Sequence, residues 1–178
     1  MRIGRLTVFA GPMFAGKTTA LLAVVHEAEK LGKHVEVYRP ITDTRHAEAE
    51  VISHEGVRCH ANWLSPDAFP LPTSADIIAI DEAQFLSAEA VPAVLNVILS
   101  GVSVVLAGLD LTWKGEPFGH LPTFMAHADE VRKLRSRCAV CGNSACRSYR
   151  LIQSEATVLV GGAEAYEPRC LRCFQPSG

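Results

Sequence analysis

The segment Gly11-Pro12-Met13-Phe14-Ala15-Gly16-Lys17-Thr18 constrains this chain more than any other stretch, because it fills every position of the G-x-x-x-x-G-K-[ST] pattern. Glycines at both ends let the backbone wrap a phosphate chain with its N–H groups pointing inward. The pattern also dictates its neighbours: a buried strand before it, and a helix after it whose N-terminus adds partial positive charge. Both are legible. Arg5–Ala10 (RLTVFA) is a short apolar run, and from Lys17 the spacing of Leu21, Leu22, Val25 and Ala28 predicts a helix stopped by Gly32. Lys17 is then placed to reach β- and γ-phosphates and the Thr18 hydroxyl to hold Mg²⁺. An ordinary glycine turn ahead of a helix needs no Lys-Thr pair.

The same alternation continues. His34–Arg39 (HVEVYR) alternates like a strand, while Asp76–Ile80 and Val102–Gly108 are near-continuous apolar runs. Ser87 reads as the N-cap of a helix through Leu99, ended by Gly101. Apolar strands alternating with helices predict a parallel sheet covered on both faces, an α/β domain of the P-loop NTPase (RecA-like) kind, expected over residues 1–135. Pro40 to Thr73 is polar and carries four prolines, so it reads as a long irregular loop of functional use. There is no internal repeat and no low-complexity tract.

With 178 residues the chain is one domain, or one plus a small appendage, and can bury a core without crosslinks. A net charge of −2 excludes a broadly basic nucleic-acid binder and argues against an anionic membrane surface. No apolar run reaches the roughly 20 residues of a membrane span. The opening MRIGRLTVFAGPMF imitates a signal peptide, but Gly11-Pro12 breaks the run and no small-residue cleavage site follows, so mature sequence and a cytoplasmic location are expected.

Six cysteines then need a reason. After about Leu134 the helical pattern fades, and short β-like runs (Ser148–Ile152, Thr157–Val160) mark a second, small domain expected over 136–178. Cys138-x₂-Cys141 and Cys170-x₂-Cys173 are two knuckle pairs, and four thiolates in such pairs suit a closed tetrahedral zinc site. Disulfides are the rival reading, disfavoured in a reduced compartment. Cys146, between the pairs, is an alternative ligand; it and Cys59 are otherwise expected to be free thiols. Apart from His46, the histidines have no ligand spacing and read as surface or packing residues.

Asp81 and Glu82 follow the buried run DIIAI. A strand-end aspartate beside a phosphate loop orients Mg²⁺ or its waters. Glu82 offers a home for the proton of an alcohol that attacks phosphorus. A carboxylate with a pKa of about 4.3 does not deprotonate a hydroxyl near 15.7 beforehand, so the proton moves late and placement outweighs basicity. Glu82 serves a hydrolase equally well, and alone it does not choose between kinase and ATPase.

The ordered set goes further. Gly11-Pro12-Met13-Phe14 before Ala15-Gly16-Lys17-Thr18, Asp43-Thr44-Arg45, Asp81-Glu82-Ala83-Gln84-Phe85, Leu109-Asp110, Pro117-Phe118-Gly119, Gly161-Gly162 with Tyr166, and the four paired cysteines resemble the type II thymidine kinase family from about residue 5 to residue 174. The resemblance implies ATP and thymidine as substrates, deoxyuridine as a second acceptor, thymidine triphosphate as feedback inhibitor, a homotetramer, and structural zinc on Cys138, Cys141, Cys170 and Cys173. Glu82 matches the proton acceptor for the 5′-hydroxyl. The phosphate loop with Asp43, Arg45, Asp81 and Gln84 matches the ATP and phosphoryl side. Phe85 and Tyr166 match an aromatic pair flanking the base. Met13, Leu109, Trp113, Phe118 and Ser148 match further pocket walls. Thr157, Val158, Leu159, Val160 and Gly161 match a lasso whose backbone grips the base. Four positions depart from the pattern: Ala15 replaces a usual serine, His46 an aromatic, Trp113 a phenylalanine and Ser148 a threonine. The rivals are another small nucleoside or nucleotide kinase, and a non-catalytic zinc-ribbon module using ATP as a switch.

Overall fold

In the computed structural model, which describes residues 3–41, 50–52, 56, 58–67, 74–152, 156 and 161–175, the first strand β1 (Leu6–Ala10) runs into the phosphate loop, and α1 (Lys17–Lys30) starts where that loop ends. The expected stop at Gly32 is present as a double hydrogen-bond closure: Gly32 N donates to Glu29 O at 2.9 Å and Lys33 N to Ala28 O at 3.0 Å. There follow β2 (Val35–Pro40), β3 (Glu50–Ile52), β4 (Arg58–His60), β5 (Asn62–Leu64), β6 (Ile77–Ile80), a 3₁₀ turn over Ala83–Phe85, α2 (Ala90–Leu99) and β7 (Ser103–Gly108). Beyond them lie α3 (Leu121–His127), β8 (Glu130–Lys133), β9 (Ser136–Arg137), β10 (Ser144–Ala145), β11 (Arg147–Arg150) and β12 (Tyr166–Arg169).

Six strands form the central sheet in the order β5-β2-β6-β7-β1-β8, every pair parallel. Period-two alternation splits its side chains between two cores. Leu6, Val8, Ile78, Ile80, Val104 and Leu106 face Val94 and Val97 of α2 and Leu121 and Phe124 of α3. Phe9, Ala79, Val105 and Ala107 face Leu21, Leu22 and Val25 of α1. Burying each such aliphatic side chain contributes about 1.5–3 kcal/mol, so helix attachment on both faces rests on these stripes. The expectation of a two-faced α/β sheet is met.

Three expectations change. Pro40 to Thr73 is not wholly irregular: β3 and β4 pair as a short antiparallel ribbon, and β5 adds to the edge of the central sheet beside β2. Ser87 is not the N-cap; Glu89 holds that position with no side-chain cap, and Ala90 N donates instead to the Ser87 carbonyl at 3.2 Å. Pro92 fits this first turn because the N–H it lacks has no helical acceptor there. The β-like run at Ser148–Ile152 begins one residue earlier and ends at Arg150. Thr157–Val160 lies outside the described residues.

Past Leu134 the strands leave the central sheet and form two small antiparallel pairs, β9 with β10 and β11 with β12. Their apolar centre is slight: Cys138, Ala145 and Cys170, with Cys173 against them.

Candidate active site and metal cluster

The phosphate loop takes its shape from backbone constraints. Gly11 has φ 146°, and a Cβ there would come within 2.4 Å of the Leu134 carbonyl, so conformation and close approach both demand glycine. Phe14 (φ 61°) and Glu82 (φ 54°) are non-glycine residues with positive φ among those described. Each such conformation costs about 1–3 kcal/mol and persists only where the surroundings enforce it.

Lys17 is buried, and its Nζ donates to Pro12 O at 2.7 Å, which holds the ammonium inside the loop's ring. Thr18 Oγ1 donates towards both Asp81 carboxylate oxygens, at 3.1 and 3.3 Å. The hydroxyl after the loop lysine and the carboxylate at the end of β6 therefore meet, an arrangement of hard oxygens suited to Mg²⁺.

Glu82 is fixed from the next turn. Gln84, 3% exposed, donates from Nε2 to Glu82 Oε2 at 2.6 Å and accepts the Leu109 N–H on Oε1 at 3.0 Å. Gln84 was expected on the phosphate side; these two bonds make it the link between Glu82 and the end of β7. Gln84→Ala leaves the Leu109 amide without this acceptor and should destabilise the protein by about 1–3 kcal/mol. Urea unfolding checks this, and kcat should fall with little change in either KM.

The expected pocket residues take part in four local arrangements. Phe85 and Phe118 pack edge to face at 5.7 Å. Leu109, Trp113 and Phe118 sit on or beside a tight loop closed by the Leu111–Pro117 bridge and by Phe118 N donating to Asp110 O. Ser148 is buried on β11, and its hydroxyl accepts the Met13 N–H at 2.9 Å, tying the tail strand to the phosphate loop. Trp113 and Tyr166 meet through a residue that sequence reasoning missed, Arg150, whose guanidinium lies 4.4 Å from the indole centroid and 5.5 Å from the phenol centroid. Asp110, buried at the end of β7, pairs with Lys133 at 2.8 Å across β1. Next to Gly161, Gly162 opens a tight turn into Tyr166: its carbonyl accepts the Ala165 and Tyr166 N–H groups, and Glu164 caps its N–H at 2.7 Å. Asp43, Arg45, Thr157, Val158, Leu159 and Val160 lie outside the described residues, as does His46.

The Sγ atoms of Cys138, Cys141, Cys170 and Cys173 all lie within 4.8 Å of one another, and Cys141 and Cys170 are 3.6 Å apart. A tetrahedral zinc–thiolate site with bonds of about 2.3 Å has sulfur edges of about 3.8 Å, so the donors fit a metal. Backbone N–H groups, that of Cys170 foremost, pull the Cys138 thiol below its ordinary value. The Cys173 thiol is pushed up, chiefly by its hydrogen bonds with Cys141 and Cys170. Four thiolates this close need a cation to balance them. None of the six cysteines is in a disulfide, and Cys146 and Cys59 are outside the cluster.

A family model described as thymidine kinase matches residues 4–174. A thymidine kinase of Deinococcus deserti is 42% identical over 186 residues, covering 94% of this chain and 92% of that one. One from a Rhodothermus species is 40% identical over 176 residues, covering 98% and 83%. One from Bacteroides fragilis is 37% identical over 176 residues, covering 98% and 88%.

Proposed function

The chain belongs to the thymidine kinase family, and from that premise we propose that it transfers the γ-phosphate of ATP to the 5′-hydroxyl of thymidine, with deoxyuridine as a second acceptor. The observation that carries this reading is the placement of Glu82. Its carboxylate is held by Gln84, one residue from the Asp81–Thr18 pair and within the turn that leads to Phe85.

The chain's own groups divide the work. Backbone N–H groups from Gly11 to Thr18 cradle the triphosphate, and Lys17 moves from the Pro12 carbonyl to the phosphate oxygens. Thr18 and Asp81 would hold the Mg²⁺ that accompanies ATP, which would supply charge neutralisation to the triphosphate. Asp43 and Arg45 act on the phosphoryl side, the Arg45 fork matching phosphate oxygens. Glu82 accepts the 5′-hydroxyl proton as the bond to phosphorus forms. Phe85 and Tyr166 flank the base; Met13, Leu109, Trp113, Phe118 and Ser148 wall the pocket; Thr157–Gly161 reads the polar edge of thymine through main-chain groups.

Residues 1–135 are the ATP-binding kinase domain in this reading, and 136–178 the zinc-bound lasso domain that closes over the nucleoside and excludes water. Zinc on Cys138, Cys141, Cys170 and Cys173 is structural, because a closed four-thiolate site leaves no position for substrate. A homotetramer, feedback inhibition by thymidine triphosphate and a cytoplasmic location belong to the same proposal. Among the described residues no helix is long and apolar enough to cross a membrane.

ATP-dependent phosphorylation of a nucleoside panel tests the reading. Thymidine should turn over fastest, with deoxyuridine behind by no more than about 10–200-fold in kcat/KM, since one methyl is worth about 1–3 kcal/mol. Faster phosphorylation of a purine nucleoside or of a nucleotide overturns it.

A further inference from the structure

A buried guanidinium in the tail is unexpected. Arg150 is 6% exposed, and burying a guanidinium is costly unless its charge is compensated by partners such as those its two NH groups find here. It sits two residues after Ser148 on β11, and both residues are buried, so they share one face of the strand. Ser148 engages the phosphate loop through Met13, whereas Arg150 reaches the aromatic wall. Its NH2 donates to the Tyr166 hydroxyl at 3.0 Å, and its NH1 donates to the Ala156 carbonyl. The guanidinium also lies over the Trp113 ring, the aromatic that attracts a cation most strongly.

These partners stand on either side of the proposed lasso. Ala156 immediately precedes Thr157–Gly161, and Tyr166 follows it by five residues. We infer that Arg150 is a positioning residue for nucleoside binding: one planar fork fastens Ala156 and Tyr166 to each other and to Trp113. The inference rests on the reading above that Trp113 and Tyr166 border the base. Holding Tyr166 and Trp113 in place beforehand removes ordering cost that the substrate must otherwise meet. The planar fork is what allows it, because two donors in fixed geometry serve two partners at once, which a lysine ammonium on a flexible stem does poorly. Trp113 strengthens the same contact where the family pattern has phenylalanine, which gives that departure a physical use.

Three variants, Arg150→Met, Arg150→Lys and Tyr166→Phe, test the inference in the full-length zinc-loaded protein. Arg150→Met should raise the thymidine KM about tenfold or more while the ATP KM stays within about twofold. Arg150→Lys keeps a cation near Trp113 and should still show a thymidine KM raised about fivefold or more. Tyr166→Phe should add less in the Arg150→Met background than alone, because the two share one hydrogen bond. Amide exchange should quicken in peptides spanning 151–166 and not in β1 or β7. A thymidine KM within twofold of wild type in both arginine variants, or equal rises in the KM for thymidine and ATP, overturns the inference. So does unchanged exchange across 151–166. Exchange needs no substrate, so it decides on Arg150 even if the wild-type protein proves not to phosphorylate thymidine, an outcome that sinks the function reading instead.

Discussion

Glu82→Gln should lower turnover by about 10²–10⁴-fold while leaving ATP and thymidine binding close to wild type. The substitution is nearly isosteric, and its amide oxygen can still accept from Gln84 Nε2, which now approaches Glu82 Oε2 at 2.6 Å. The Leu109 amide keeps its acceptor on Gln84, so the end of β7 is undisturbed. Backbone strain at position 82 is unchanged, because glutamine meets the same φ of 54° at the same cost. What is lost is the capacity to take a proton as the oxygen–phosphorus bond forms. Single-turnover rates with both substrates saturating read that loss directly, and equilibrium binding of each shows whether the site is intact. Wild-type-like turnover in this variant removes Glu82 from the mechanism. Weakened ATP binding with turnover unchanged at saturation would assign the carboxylate to the phosphate side instead.

How far the residues foretold this site depends on how local each constraint is. The phosphate loop was legible in full because its chemistry is written into eight consecutive positions, and the buried strands because apolar runs report two-sided burial. Edge elements leave no such trace. β8, Glu130–Lys133, is mostly exposed and reads as polar chain, as suits a sheet edge. β5 has only three residues and α3 only seven, too few for a period to emerge. Residue type also hides backbone state: nothing about a glutamate announces the left-handed conformation that aims Glu82. Arg150 was missed for a third reason. A lone arginine in a polar tail reads as surface, and only the pairing of β11 with β12, Arg150 opposite Tyr166, brings it beneath an aromatic wall. The ribbon β3–β4 shows the converse, since a proline-rich polar stretch contained strands that pair mainly with each other. Asp43, Arg45 and Thr157–Val160 rest on the ordered motif set alone.

The second large effect concerns the tail. Cys170→Ser should release zinc, loosen residues 136–175 and abolish most thymidine phosphorylation, while the central sheet still unfolds cooperatively. The tail's strands run two to four residues, and its buried apolar cluster is only Cys138, Ala145 and Cys170, with Ala165 and Tyr166 buried beside β11. A core of that size supplies little free energy, whereas zinc bound by small four-ligand peptides contributes about 10–16 kcal/mol. The two halves of the tail are also stitched by backbone bonds that depend on their approach, Ala139 N to Pro168 O at 2.9 Å and Cys146 N to Arg169 O at 3.3 Å. Serine at position 170 offers a harder, less readily ionised donor, so the closed site loses one of its four thiolates at a buried corner. The consequence reaches the active site through β11, which carries both Ser148, bonded to Met13 of the phosphate loop, and Arg150, bonded to Tyr166. Metal analysis of the purified wild-type protein should give one zinc per chain and the variant far less. Amide exchange should rise across β9–β12 and remain slow in β1, β6 and β7, whose side chains are packed on both faces by α1, α2 and α3. Zinc-free wild-type protein with full activity and a protected tail would show that the four thiols pack without metal, and the staple would have to be abandoned.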